Sequence, residues 1–266
     1  MQKILKNFTQ LDFDSLVRDA AQDDDILGFF FGGSRGKSFE DEYSDWDLRY
    51  VVRNGTKQKY SKSPVSKEFE RSDYENMEFQ IFEYDEFVEH ALWKKDKAWD
   101  RYSFAHVHAY VDKTGDIQKL IDDKSQIPKE EQQAFVTKEI DAYIHSLYRS
   151  VKAARRGDIL GSRIEAGFSM HHLLAGLFAT EYRTTPYPSY LSHELHKYPL
   201  LHFPLKSNAL IELLEKIVGT GDITAQQELA RTVETYMQSF DFYSYDRWAE
   251  KYAWALKYEA SEHGQN

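Results

Sequence analysis

The period of the hydrophobic pattern changes once along this chain, near Pro128, and that change limits the folds open to it. Before it, apolar residues come in short blocks or alternate. Ile26 to Phe31 is a block of β-formers closed by Gly32-Gly33. Asp45 to Val52 alternates, then turns apolar. Met77 to Glu83 alternates throughout, with Met77, Phe79 and Ile81 on one side and Glu78, Gln80 and Phe82 on the other. Phe104 to Val111 alternates again. These runs predict four strands. Short helices are expected at Asp14 to Gln22, Asp85 to Trp93 and Gly115 to Asp122. Arg53 to Arg71 is polar and reads as a long loop between two strands.

From Lys129 onward the spacing becomes helical. Ile140, Ile144, Leu147 and Val151 share one face, as do Leu210, Leu213, Leu214 and Ile217, and then Leu229, Val233, Met237 and Phe240. Breaks fall at Gly157-Asp158, Thr184 to Pro188, Pro199 to Pro204 and Gly219 to Asp222. The expected class is α+β. Residues 1–128 should form a small mixed β-sheet with flanking helices, and residues 129–266 an antiparallel bundle of five or six helices. The boundary is placed in the polar stretch around Pro128.

Composition removes several function classes. The 266 residues include no cysteine, so disulfides, zinc thiolates and cysteine nucleophiles are excluded. The net charge of −10 argues against a nucleic-acid partner, which calls for a basic footprint. It suits bound metal ions or a cationic substrate. The opening residues carry charge too early for a signal peptide, and the apolar runs fall far short of a membrane span. A soluble, cytoplasmic monomer or homodimer is expected, with no membrane partner. Aromatic residues, 15% of the chain, suit bulky cores and pockets for flat ligands alike.

The segment that carries chemistry runs from Phe29 to Leu48. An apolar strand enters Gly32, Gly33 and Ser34, where the backbone can turn sharply and approach a ligand closely. A helix beginning near Ser34 would aim its unpaired N–H groups at an anion such as a phosphate. Arg35 and Lys37 could meet the same charge. Asp45 and Asp47 stand two apart on a strand, so both carboxylates lie on one face. Adjacent carboxylates repel unless a cation sits between them, and hard oxygen ligands suit Mg²⁺ bridging to phosphates. Glu78, between Met77 and Phe79, points off the face opposite to them and can join the pair.

Gly33-Ser34, the step to Asp45, then Asp47-Leu48 and a later acid resemble the signature of the polymerase-β-type nucleotidyltransferase superfamily. The sequence also resembles the nucleotidyltransferases that modify aminoglycoside or lincosamide antibiotics, which carry a C-terminal helical domain. Lys37 matches the family pattern, while Ser38 stands where glycine is usual. The resemblance implies that residues 1–128 bind nucleotide and metal and that residues 129–266 bind the acceptor. It implies Gly33, Ser34, Arg35 and Lys37 as nucleotide contacts, and Asp45, Asp47 and Glu78 as ligands of one or two Mg²⁺ ions. Glu78 is then the metal ligand or the base that takes the acceptor proton. The reaction implied is transfer of a nucleoside monophosphate, AMP from ATP or the equivalent from another NTP, to the hydroxyl of a small molecule. Transfer to a protein side chain and a non-catalytic nucleotide-binding module are the alternatives.

Other features have plainer readings. Glu83 and Asp85 compete with Glu78 as the third acid. His106 and His108 alternate and read as a sheet-surface pair. One of His171 and His172 should be a hydrogen-bonded core histidine. Glu139, Asp141, Glu165 and Glu181 read as exposed helix acids, and the aromatics between Phe240 and Trp254 read as core.

Overall fold

The computed structural model describes residues 6–60 and 74–258. The chain divides into two compact units, Met1–Ile127 and Pro128–Asn266.

The first unit is built on four strands, β1 (Ile26–Phe31), β2 (Trp46–Val52), β3 (Met77–Glu83) and β4 (Ala109–Asp112), in the order β3-β2-β1-β4. The sheet is mixed: β1 pairs antiparallel with both β2 and β4, while β2 and β3 run parallel. A parallel pair needs a crossover rather than a hairpin. Of the expected loop from Arg53, Lys57–Tyr60 forms a turn of 3-10 helix, and residues 61–71 lie outside the described residues.

Helix α1 (Gln10–Gln22) covers one face of the sheet. Its buried stripe, Phe13, Leu16 and Ala20, joins Phe29, Phe31, Trp46, Leu48 and Tyr50 in one core. The helix begins four residues earlier than its apolar face suggests, because Thr9 and Asp12 form a reciprocal capping box that satisfies the first amides. The other face is covered by α2 (Tyr84–Glu89) and α3 (Ile117–Ser125), whose Phe87, Ile117 and Ile121 pack with Phe30, Val51 and Phe82.

Two further boundaries differ from expectation, and buried cations stand at both. Helix α2 stops at Glu89 rather than Trp93. Lys124 Nζ donates to the Val88 carbonyl at 3.1 Å and Arg101 Nη1 to that of Ala91 at 2.8 Å, so side chains take over where helical amides would bond. Phe104, expected to open a strand, instead ends a 3-10 helix, Ala98–Phe104, which places Arg101 inward. His106 is left-handed, with φ 64°, and β4 begins only at Ala109. His106 and His108 therefore lie in the connection before β4, not on it.

The second unit is helical: α4 (Lys129–Arg155), α5 (Ile159–Thr180), α6 (Leu191–Lys197), α7 (Ser207–Thr220), α8 (Ile223–Met237) and α9 (Ala249–Lys257). The α+β class is thus as expected. The short turn through Gly157 makes α4 and α5 antiparallel neighbours, and the Asp158 carboxylate caps α5 by accepting the Gly161 amide at 2.8 Å. Ile140, Ile144, Leu147 and Val151 are all fully buried. Each such side chain contributes about 1.5–3 kcal/mol relative to leaving it in water. Among the described residues no helix is long and apolar enough to cross a membrane.

Candidate active site

Strand β1 carries the chain into Gly32, whose amide donates to the Asp47 carbonyl at 2.7 Å. On the other edge of β2, the parallel register sets Asp47 opposite Glu78, Trp46 opposite Met77 and Leu48 opposite Phe79. Paired residues of neighbouring strands point to the same face, with backbones about 4.8 Å apart. Asp47 and Glu78 are therefore side by side on one face, while Trp46, Leu48 and Met77 are buried on the other. Asp45 precedes β2 by one residue and is exposed.

The three acids act on one another. Burial pushes the Asp47 carboxyl above its ordinary range. Arg49 pulls it back, the charges of Glu78 and Asp45 push it further up, and Lys37 pulls it down. The net direction is upward, and burial is its largest cause.

Glu83 and Asp85 lie elsewhere. Five residues of strand separate Glu83 from Glu78, about 16 Å at ~3.3 Å per residue. The Glu83 carboxylate accepts the Gly55 amide at 2.9 Å and that of Lys57 at 3.4 Å, and it caps α2. Asp85 sits in α2, its amide held by Asn54 Oδ1 at 3.1 Å. Both belong to the far end of the ladder.

Gly33 is required twice over. Its φ is +54°, and a Cβ there would collide with Asp47 Oδ2. The aspartate side chain thus lies against bare backbone. Left-handed Gly33 is followed by right-handed Ser34, with φ −67° and ψ −40°. Alternation of this kind turns successive amides toward one point and makes a concave anion site. Among the described residues the amides of Gly33, Ser34 and Arg35 donate to no other group.

The helix expected from Ser34 is only one 3-10 turn, Arg35–Lys37, closed by left-handed Ser38 with φ 55°. Glycine would adopt that conformation without strain, so the departure from the family pattern at Ser38 falls on a position where it has a cost. Lys37 does not face outward as a phosphate contact. Its side chain is buried, and Nζ donates to the carbonyls of Ser103 at 3.0 Å and Ala105 at 3.1 Å, 5.0 Å from the centre of the Tyr102 ring. Arg35 lies over the Trp46 ring at 4.1 Å and donates to the carbonyls of Ser44 and Asp45 at 3.1 and 3.0 Å. It fixes the backbone that presents Asp45. Of the four expected nucleotide contacts, Gly33 and Ser34 offer backbone donors, while the two cations brace the loop.

Arg49 belongs to the site and was not singled out from the sequence. It lies two residues beyond Asp47 and on the same face. Its Nη1 donates to Ser103 Oγ at 3.0 Å, and its guanidinium stands 5.2 Å from the centre of the Phe104 ring. A Cβ on Gly32 would come within 2.7 Å of Arg49 Nε. The i, i+2, i+4 spacing of Asp45, Asp47 and Arg49 is the signal that marks it.

The donor set fits Mg²⁺ in an open form: carboxylate oxygens on rigid backbone. Among the described residues no group of three or more His, Asp or Glu is already drawn together around one point. Mg²⁺ commonly takes one or two carboxylates and completes its shell with waters and substrate phosphates.

The remaining sequence candidates are accounted for inside their own units. His172 Nδ1 is 2.8 Å from Glu139 Oε2, and Glu139 is buried, not an exposed helix acid. Asp141 accepts from Tyr243 and Trp248, Glu165 pairs with Arg149, and Glu181 accepts the His202 amide.

No family model matches this sequence, and no curated protein matches it. Among solved structures the chain is similar to a nucleotidyltransferase-like protein from Exiguobacterium sibiricum 255-15, with a TM-score of 0.41 and 12% identity over 85% of this chain and 73% of that one.

Proposed function

We propose that this chain is a Mg²⁺-dependent nucleotidyltransferase. It moves a nucleoside monophosphate, AMP from ATP in the first instance, onto a hydroxyl of a small molecule, with aminoglycoside or lincosamide antibiotics as the acceptor class to try first. The observation that carries the reading is the β2–β3 register, which sets Asp47 beside Glu78 at the foot of the Gly33-Ser34 turn.

In this reading the turn amides of Gly33, Ser34 and Arg35 hold phosphate oxygens. Asp45 and Asp47 hold the metal against the triphosphate, with Glu78 beside them. When bound, Mg²⁺ supplies charge stabilisation at the α-phosphoryl group and the leaving pyrophosphate. The acceptor oxygen forms a bond to the α-phosphorus, the bond from that phosphorus to the bridging oxygen breaks, and pyrophosphate departs. Glu78 takes the proton from the attacking hydroxyl. Arg35 fixes the backbone that carries Asp45, and Arg49 stands on the same strand face as Asp47.

The test is Mg²⁺-dependent pyrophosphate release from each of the four NTPs against a panel of aminoglycosides and lincosamides, with Asp45→Asn and Glu78→Gln as controls. Release with one acceptor, lost in both variants, is the expected result. Release that survives Glu78→Gln and Asp45→Asn would remove these residues from the mechanism. Mg-ATP binding without release from any drug would keep the site and discard the drug acceptors.

A further inference from the structure

A compact run of positive charge lies in the helical part of this acidic chain: Arg149, Lys152, Arg155 and Arg156 fall within eight residues that contain no carboxylate. They occupy the C-terminal end of α4, where cations also favour the helix dipole. Arg149 is taken by Glu165 at 2.7 Å. Lys152 and Arg155, three apart, share a face. That face meets α9 across a cavity of about 280 Å³ lined by Tyr148, Lys152, Arg155, Glu250, Lys251 and Trp254.

Three cations thus converge on two aromatic rings. The Arg155 guanidinium lies 5.0 Å from the centre of the Trp254 ring. Lys152 and Lys251 stand 5.7 and 5.8 Å from that of Tyr148. Tyr148 and Trp254 meet edge to face at 5.6 Å. Among the described residues none of these three cations forms an ion pair, whereas Lys57, Lys59, Arg149 and Arg183 do. Glu250, the one carboxylate in the lining, leaves the cavity with a positive balance.

Cations beside aromatic faces are the chemistry that takes a flat ring bearing phosphate. The cavity sits just under the ~300–1,000 Å³ typical of small-molecule sites, which favours a mononucleotide over anything larger. We propose that the α4–α9 cavity binds a nucleoside monophosphate without metal, with Lys152, Arg155 and Lys251 on the phosphate, Trp254 or Tyr148 against the base, and Glu250 accepting from the ribose hydroxyls. This site is separate from the Asp47–Glu78 site and stands or falls without it.

The test is calorimetric titration of the full chain in EDTA with AMP and, separately, with inorganic phosphate. Wild type should bind AMP saturably and about tenfold or more tighter than phosphate, the margin expected of one base–aromatic stack. The double variant Lys152→Gln/Arg155→Gln and the single variant Trp254→Leu should each weaken AMP by roughly tenfold or more, while Asp47→Asn leaves it unchanged. Lys251 is exposed, so Lys251→Gln provides a variant whose folding is not at stake; it should weaken AMP and phosphate alike. The proposal is overturned if wild type shows no saturable binding, or if phosphate binds as tightly as AMP. It is equally overturned if the α4 variants lower the melting temperature without changing AMP affinity, which would make these contacts packing only, or if Asp47→Asn abolishes binding.

Discussion

Asp47 and Asp112 sit on the same four-stranded sheet and meet opposite treatment. Burial works upward on both carboxyls. At Asp112 the amides of Gln118, Gly115 and Ile117 and the Thr114 hydroxyl outweigh it, and the group is held below its ordinary range. Two of those contacts are 2.8 Å from the Gly115 amide and 3.0 Å from that of Gln118. At Asp47 the neighbours include Glu78 and Asp45, and the group is held above its ordinary range. One acid closes the turn into α3 and helps the fold stand. The other is kept where its charge is costly, and a bound cation would reverse that cost.

The two positions can be pulled apart by experiment. The largest difference is expected in turnover. Glu78→Gln should lower kcat by about 10²–10⁴-fold, the usual range for a lost general base. Asp112→Asn should leave kcat within about twofold, because it touches neither reactant. Steady-state pyrophosphate release measures both, and comparable losses would erase the distinction.

Each aspartate also has a left-handed glycine beside it. Gly33 has Asp47 Oδ2 where a Cβ would go, while Gly115, with φ +75°, has nothing within 4 Å. Gly115→Ala should cost only the conformational penalty, about 1–2 kcal/mol. Gly33→Ala adds the collision and should cost about 3 kcal/mol or more, together with loss of metal binding. Denaturant unfolding of the pair checks this; equal costs would mean that Asp47 does not lie against Gly33.

Asp112→Ala should lower stability by about 1–2 kcal/mol at neutral pH. The folded-state pKa is depressed, so the contribution is complete above the unfolded value of ~3.9 and is lost as pH falls through the lower folded value. Melting curves taken down through this range should converge for wild type and variant.

The smallest effect has the opposite sign. Asp47→Asn should raise stability slightly in the absence of metal, a difference read from denaturant unfolding, since it removes a carboxylate whose ionisation the fold opposes. The folded pKa is raised here, so the advantage is complete above it and fades as pH falls through it toward the unfolded value.

Strands β1 and β3 are legible in the sequence because each is a single uninterrupted pattern bounded by glycine or a helix cap. The faces of α4, α7 and α8 are legible for the same reason. Glu78 is legible only as one of three acids; the register that separates it from Glu83 is a property of strand pairing, which no local pattern carries. The sequence misleads where a buried cation intervenes. Lys37 and Arg35 look like phosphate ligands by charge and position, yet backbone carbonyls claim both. Lys124 is likewise buried, its pKa lowered to about 8 by burial and by Arg101, and it ends α2 where the apolar spacing alone would continue it. In each case a long side chain satisfies backbone outside its own segment, and the local pattern does not show that pairing.

The most direct test of the central claim is the thermal shift produced by Mg²⁺ with ATP in wild type and in Asp47→Asn. A ligand at about 100 times its Kd stabilises the folded state by about 2.7 kcal/mol. Wild type should gain several degrees, and Asp47→Asn, more stable at the outset, should gain little. Equal gains in the two proteins would show that Asp47 holds no metal-bound nucleotide and would contradict the account of this site.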